Sequence, residues 1–249
     1  MAVRTANPAL NANTFSGLGV ATDAAMTVQG TVNRTGILLL LLIVSAAWTW
    51  DRFLSAGRSL DAIGGLIVVG ALGGLLVALI TVFKRSWAPV TAPVYAVLEG
   101  LFLGGISSIF EARFPGIVLQ AVALTFGTLG GLLLAYKSGL IPVTANFRLG
   151  IVAATGGICL VYVVSFVLGL FGIAFPYIHG SGPVGILFSL FVVIVAALNL
   201  VLDFDFIERG AESGAPKYME WYAAFGLIVT LVWLYLEILR LLSKLRSRR

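Results

Sequence analysis

Seven apolar runs alternate with short polar breaks along this chain. A helix needs about 20 apolar residues to cross a hydrocarbon core roughly 30 Å thick. The runs predict spanning helices over Thr35 to Leu54, Asp61 to Phe83, Thr91 to Ala112, Gly116 to Tyr136, Arg148 to Ala174, Pro183 to about Asp205, and about Met219 to Leu242. Trp48 and Trp50 mark a membrane interface at the end of the first run. Residues 1–34 lack helical periodicity and predict a polar, loosely ordered tail. Residues 35–242 predict one seven-helix transmembrane domain, and 243–249 a basic tail, SKLRSRR with its neighbours. Most connections are short, so consecutive helices are expected to be antiparallel neighbours.

Composition agrees with the pattern. Apolar residues make up 59% of the 249 and charged residues 11%, with a mean hydropathy of +1.04. Soluble domains carry about 25% charged residues, which leaves an all-α polytopic membrane protein. The net charge of +5 reads as basic flanks meeting anionic lipid. No basic face with interleaved aromatics points to nucleic acid. The single cysteine, Cys159, excludes an internal disulfide, and no Cys/His cluster offers a zinc site. The single histidine, His179, is expected to be a solvated loop residue. No cleavable signal peptide is expected, because the first apolar run is long enough to span.

Three helices carry glycines four apart: Gly70 and Gly74, Gly100 and Gly104, Gly127 and Gly131. Such spacing lets two helix backbones approach closely, and it predicts a tightly packed bundle or, alternatively, a dimer seam. Orientation is less sharply written. With seven crossings, the 16 Lys and Arg split evenly between the two faces; if the last run enters and returns, one face takes all but Arg52, Arg58 and Arg113. The second arrangement places the N-terminus in the cytoplasm by the positive-inside rule. The length of the last run favours seven crossings.

The chemistry lies in acids that stand where charge is expensive. Glu99 is about eight residues, roughly 12 Å, inside the third run, beside the glycine face of Gly100 and Gly104. In NLVLDFDFIERGAE, Asn199 and Asp203 share a helix face that reads as inward. Asp205 and Glu208 point the other way, toward water, where Arg209 is placed to neutralise Asp205 at i+4. Glu237 lies in LVWLYLEILRLL, three residues before Arg240. Up-and-down threading brings Glu99 and Asp203 to similar depth. Two carboxylates meeting in low dielectric make a proton switch, and a hard-oxygen cation site once both are ionised.

Taken together, the seven-run plan, LDFDFIERGAE and the ending LYLEILRLL resemble the Bax inhibitor family of membrane proteins (the transmembrane Bax inhibitor motif or YccA-like family). The segment MTVQGTVNRTGILLLLL is similar to its bacterial branch, which implies the bacterial cytoplasmic membrane. The resemblance implies a seven-helix bundle with a central last helix and a pH-sensitive leak of cations, mainly Ca²⁺. It implies a pH-sensing acid pair, carried over onto Asp203 and Glu237, which would also be the Ca²⁺ ligands. Asp205 stands here where the family usually has Gln, and Glu237 where it has Asp. A basic gate near the end of the second helix falls on Lys84 or Arg85. Asp203 and Glu237 are 34 positions apart, longer than the family plan. A simple hairpin would leave them roughly 20 Å apart in depth, and Glu99 is then the alternative partner for Asp203.

Two functions follow as expectations. One is a proton-gated cation leak, or an H⁺-coupled cation path, with Ca²⁺ as permeant ion and no resident cofactor. The other is a non-conducting regulator that binds other membrane proteins, as some relatives are thought to do with a membrane protease. An enzyme is not expected: Ser181 beside His179 has no third partner, and no metal-protease motif exists.

Overall fold

The computed structural model describes residues 25–172 and 180–248, so the expected tail residues 1–24 and His179 lie outside it. Among the described residues seven helices run in order: α1 (Val28–Ser55), α2 (Asp61–Phe83), α3 (Ala88–Arg113), α4 (Ile117–Lys137), α5 (Ala145–Leu170), α6 (Pro183–Glu212) and α7 (Met219–Ser247). A 3₁₀ turn at Arg85–Trp87 joins α2 to α3. All seven are long and apolar enough to cross a membrane. Among the described residues there is no strand, only an isolated bridge between Ala25 and Pro216.

Several boundaries differ from expectation: α6 runs on to Glu212 where an end near Asp205 was expected, and the two outermost shifts have local reasons. The first helix starts at Val28, not Thr35, so the end of the expected polar tail is helical. Thr27 caps it, its hydroxyl accepting the Gly30 N–H at 2.9 Å. Gln29 and Asn33 then pair at i+4, and Thr31 and Thr35 return their hydroxyls to the carbonyls of Thr27 and Thr31. Polar residues are tolerated because their side chains close on the helix itself. The basic tail from 243 onward likewise continues α7 as far as Ser247. α7 is one uninterrupted helix of 29 residues, roughly 43 Å at 1.5 Å per residue, and it is the most buried of the seven. It is long enough to cross and has no break at which it could turn back.

The chain divides into two compact units, into both of which α6 and α7 contribute. Among the described residues, the first unit comprises 25–115 and 206–229. Here glycines set the packing. Gly100 lies against the Leu42 carbonyl and Ser45, Gly104 against the Ala46 backbone, and Gly70 against the Leu98 carbonyl, all too close for a Cβ. The α1–α3 and α2–α3 contacts are therefore backbone-to-backbone approaches, the arrangement small residues permit in oil. The Ser45 hydroxyl donates to the Val97 carbonyl at 2.7 Å, adding a bond across the α1–α3 seam.

The second unit comprises 116–172, 180–205 and 230–248. Gly116, with a φ of 79°, turns the chain into α4, and Thr144 caps α5 by accepting the Phe147 N–H at 3.2 Å. Ile158, Val192 and Val195 form its apolar core, with Ala154, Tyr162, Phe188 and Trp233 packed around them. Leu160, Val164, Phe166 and Leu187 face outward, as they would toward lipid. Gly127 and Gly131 on α4 have open space where a Cβ would stand, so the third glycine pair does not pack inside the chain as the first two do.

Candidate functional site

The second unit carries a file of polar side chains through its apolar interior. At one end, Arg148 in the first turn of α5 reaches Asp205 on α6. Its Nη2 donates to both carboxylate oxygens, at 3.0 and 2.9 Å, and both side chains are buried. Asp203 is buried beside it, two residues earlier on α6. One turn further along α6, Asn199 Nδ2 donates to Thr155 Oγ1 at 2.9 Å and to the Val195 carbonyl at 2.8 Å. Beyond that, the Tyr162 hydroxyl on α5 donates to Glu237 Oε1 on α7 at 3.0 Å. Arg240 Nη1 donates to the same oxygen at 2.9 Å and to the Tyr162 hydroxyl at 2.7 Å. At the far end, Lys244 Nζ donates to the Gly185 carbonyl at 3.0 Å and to Ser189 Oγ at 2.8 Å.

The register of these contacts fixes the geometry. Arg148–Asp205, Thr155–Asn199 and Tyr162–Phe188 make α5 and α6 antiparallel neighbours. Lys244–Ser189, together with Trp233 packed on the cluster of Val192 and Val195, does the same for α6 and α7. From Gly185 to Asp205 the file runs roughly 30 Å at helical rise, the thickness of the hydrocarbon core. The polar members repeat every seven residues: Arg148, Thr155 and Tyr162 on α5, and Thr230, Glu237 and Lys244 on α7. Seven residues are close to two helical turns, so each set lies on one face.

This arrangement sorts the expected site residues. Asn199 and Asp203 are both buried, in line with an inward face. Asp205 is not the water-facing acid that was expected beside Arg209. It is buried, and Arg148, read from the sequence as a membrane flank, holds it. Glu237 pairs with Arg240 as i+3 spacing suggests, and its Oε2 is buried with no hydrogen-bond partner among the described residues. The register separates Asp203 from Glu237 by two to four helical turns, roughly 11–20 Å. A single Ca²⁺ ion is therefore not shared between them in this arrangement. Among the described residues no group of three or more His, Cys, Asp or Glu is placed to hold a metal.

The other expected residues lie in the first unit. Glu99 is half-buried and hydrogen-bonded to Tyr95, with one carboxylate oxygen 3.1 Å from where a Cβ on Gly74 would stand. Lys84 and Arg85, the expected basic gate, lie over aromatic rings: Lys84 over Trp87 at 4.5 Å, Arg85 over Tyr222 at 5.9 Å.

A second buried carboxylate of the first unit escaped the sequence reading. Glu220, in the first turn of α7, accepts from the Thr27 N–H at 3.0 Å, the Thr27 hydroxyl at 2.9 Å and Lys217 Nζ at 2.7 Å. Arg34 Nε lies 4.0 Å from its other oxygen and stacks over Trp221. The carboxylate so fills the space over Gly30 that a Cβ there would collide with it. This clasp ties the start of α1 to the start of α7. The signal available in the sequence was the acid itself, at the polar start of the run that begins at about Met219.

Seven apolar helices with buried, paired charges define an integral membrane protein of the polytopic α-helical class. The family described as Bax inhibitor 1 like matches residues 7–247, nearly the whole chain, and the protein belongs to that family. No curated protein and no solved structure matches the chain.

Proposed function

We propose that the protein is a pH-sensitive cation leak whose path follows the polar file of the second unit, with Ca²⁺ as the expected permeant ion. The observation that carries this reading is the file itself: Asp205, Asp203 and Glu237 stand between Arg148 at one end and Arg240 and Lys244 at the other, along roughly 30 Å of otherwise apolar helix. Buried ionisable groups are costly in a bilayer, and where they persist they commonly mark ion or proton pathways. Ionised, the carboxylates draw cations and supply hard oxygen ligands. Protonated, they lose that attraction and release the cations paired with them. The Arg148–Asp205 pair places a positive group across one end of the file, so a passing cation requires that pair to open. Glu237 Oε2, lacking a hydrogen bond among the described residues, is poised to take a proton or a cation.

The same reading places the protein in a bacterial cytoplasmic membrane with its N-terminus in the cytoplasm, and assigns it no enzymatic step. The alternative, a non-conducting regulator that binds a membrane partner such as a protease, draws on one observation: the open backbone at Gly127 and Gly131 on α4, where another helix would fit closely.

Ca²⁺ flux into proteoliposomes between about pH 5 and pH 8, the window where near-neutral switches act, separates the two. A pH-dependent flux altered by Asp203→Asn supports the leak. Flux no greater than that of empty liposomes, from folded protein, rejects it and favours the regulator.

A further inference from the structure

A groove of about 420 Å³ opens on the outer side of the second unit, lined by Thr155, Ile158, Cys159, Tyr162 and Phe166 of α5 and Trp233 of α7. Its volume falls within the roughly 300–1,000 Å³ typical of small-molecule sites. The lining is almost wholly apolar. On helices that span a bilayer, an outward-facing apolar groove meets hydrocarbon, not water, and its natural occupant is an acyl chain.

The charge beside the groove indicates which lipid. Tyr162 lines the groove, and the Arg240 guanidinium lies over its ring at 5.3 Å while donating to its hydroxyl. The Arg240 side chain is 41% exposed, whereas that of its partner Glu237 is 3% exposed. Arg240 stands seven residues before the end of α7 at Ser247, roughly 10 Å by rise. α7 is longer than the hydrocarbon core is thick, so a snorkelling guanidinium at that level reaches the headgroup layer. The groove runs along α5 from Phe166 past Tyr162, Cys159 and Ile158 to Thr155, with Arg240 beside its Tyr162 turn. Arg246 and Arg248 follow on the same helix end and add positive charge at the same surface. A half-exposed cation beside an apolar groove matches a phosphate joined to a fatty chain.

We propose that this groove binds one acyl chain of an anionic phospholipid, with the lipid phosphate held by Arg240. Thr155, Tyr162 and Arg240 also belong to the polar file, and the test reads contact between lipid and Trp233, not flux, so its outcome is independent of the leak reading.

The test leaves Trp233 as sole tryptophan (Trp48, Trp50, Trp87 and Trp221 each changed to Phe) in liposomes containing bromine-labelled chains on phosphatidylglycerol or on phosphatidylcholine. At equal low fractions, the anionic lipid is expected to quench Trp233 several-fold more strongly. Arg240→Gln is expected to equalise the two lipids, and Cys159→Phe, which fills the groove, to reduce quenching by both. Native mass spectrometry of the unaltered protein, released from mixed lipid, provides a check that needs no variant: retained phosphatidylglycerol in preference to phosphatidylcholine is expected. Equal quenching by the two lipids overturns the proposal, as does an anionic preference that survives Arg240→Gln. Absence of quenching by either lipid also overturns it, and indicates that a second copy of the chain or another segment covers the groove.

Discussion

Arg148 and Asp205 are 57 positions apart in the chain, yet one guanidinium nitrogen of Arg148 donates to both oxygens of the Asp205 carboxylate inside the second unit. Both partners are buried, so neither charge has water to turn to if the other is removed. Breaking such a pair from one side strands a charge at a cost of about 3–5 kcal/mol, whereas replacing both partners with apolar residues is often neutral. Asp205→Asn and Arg148→Met are each expected to lower the unfolding midpoint in detergent sharply. Arg148→Met combined with Asp205→Leu is expected to recover most of the loss. A double variant as unstable as the sum of the singles would show that the two groups do not act as a pair.

Asp203→Asn mimics the protonated carboxyl at every pH. If Asp203 draws cations when ionised, the variant needs more Ca²⁺ for half-maximal flux near pH 8 and approaches the wild type as pH falls, where the wild type is neutral as well. Flux titrations at several pH values check this. A constant difference at all pH values would place the titrating group elsewhere in the file.

Tyr162→Phe removes the hydroxyl that donates to Glu237 and accepts from Arg240. Hydrogen bonds to charged groups contribute about 1.5–3 kcal/mol each, so a loss of that order in stability is expected. The Glu237–Arg240 contact at 2.9 Å remains, and Glu237→Gln in the Tyr162→Phe background should cost less than in the wild type. Chemical unfolding of the four proteins of this cycle gives the coupling directly.

The Glu220 clasp predicts a local effect on the start of α1. Glu220→Ala removes the acceptor of the Thr27 N–H and hydroxyl, and amide exchange over residues 27–34 is expected to accelerate with little change in α4 or α5. Gly30→Ala should produce the same signature by collision with the carboxylate, and should do less harm once Glu220 is already Ala. Uniform acceleration along the chain would contradict a local clasp.

Glycine substitutions should divide by position. A valine at Gly104 meets the Ala46 backbone, while one at Gly127 meets open space. Gly104→Val is expected to destabilise by about 1–3 kcal/mol or more, as overpacking does, and Gly127→Val to leave thermal stability in detergent nearly unchanged. A marked loss from Gly127→Val would mean that α4 packs on a second chain.

Much of this protein is written in its local pattern. Seven runs of sufficient length, free of charge over most of their course, leave no arrangement in a bilayer except helices, because only a helix satisfies every backbone group within one segment. The close packing at Gly70, Gly100 and Gly104 and the inward face of Asn199 and Asp203 were legible from spacing, and the family from the resemblance of LDFDFIERGAE and LYLEILRLL. The partners were not. Arg148 reads as a flank and Asp205 as a helix end. Nothing local shows that α5 and α6 lie in the one register that brings them together. Glu220 reads only as the polar start of the seventh run, because its ligands, Thr27 and Arg34, are nearly two hundred residues away in the chain. Helical periodicity is a property of neighbours in sequence and determines which face a side chain takes. Which charge stands opposite it depends on how helices slide and rotate against one another, a balance of side-chain packing over the whole unit that only the tertiary structure decides.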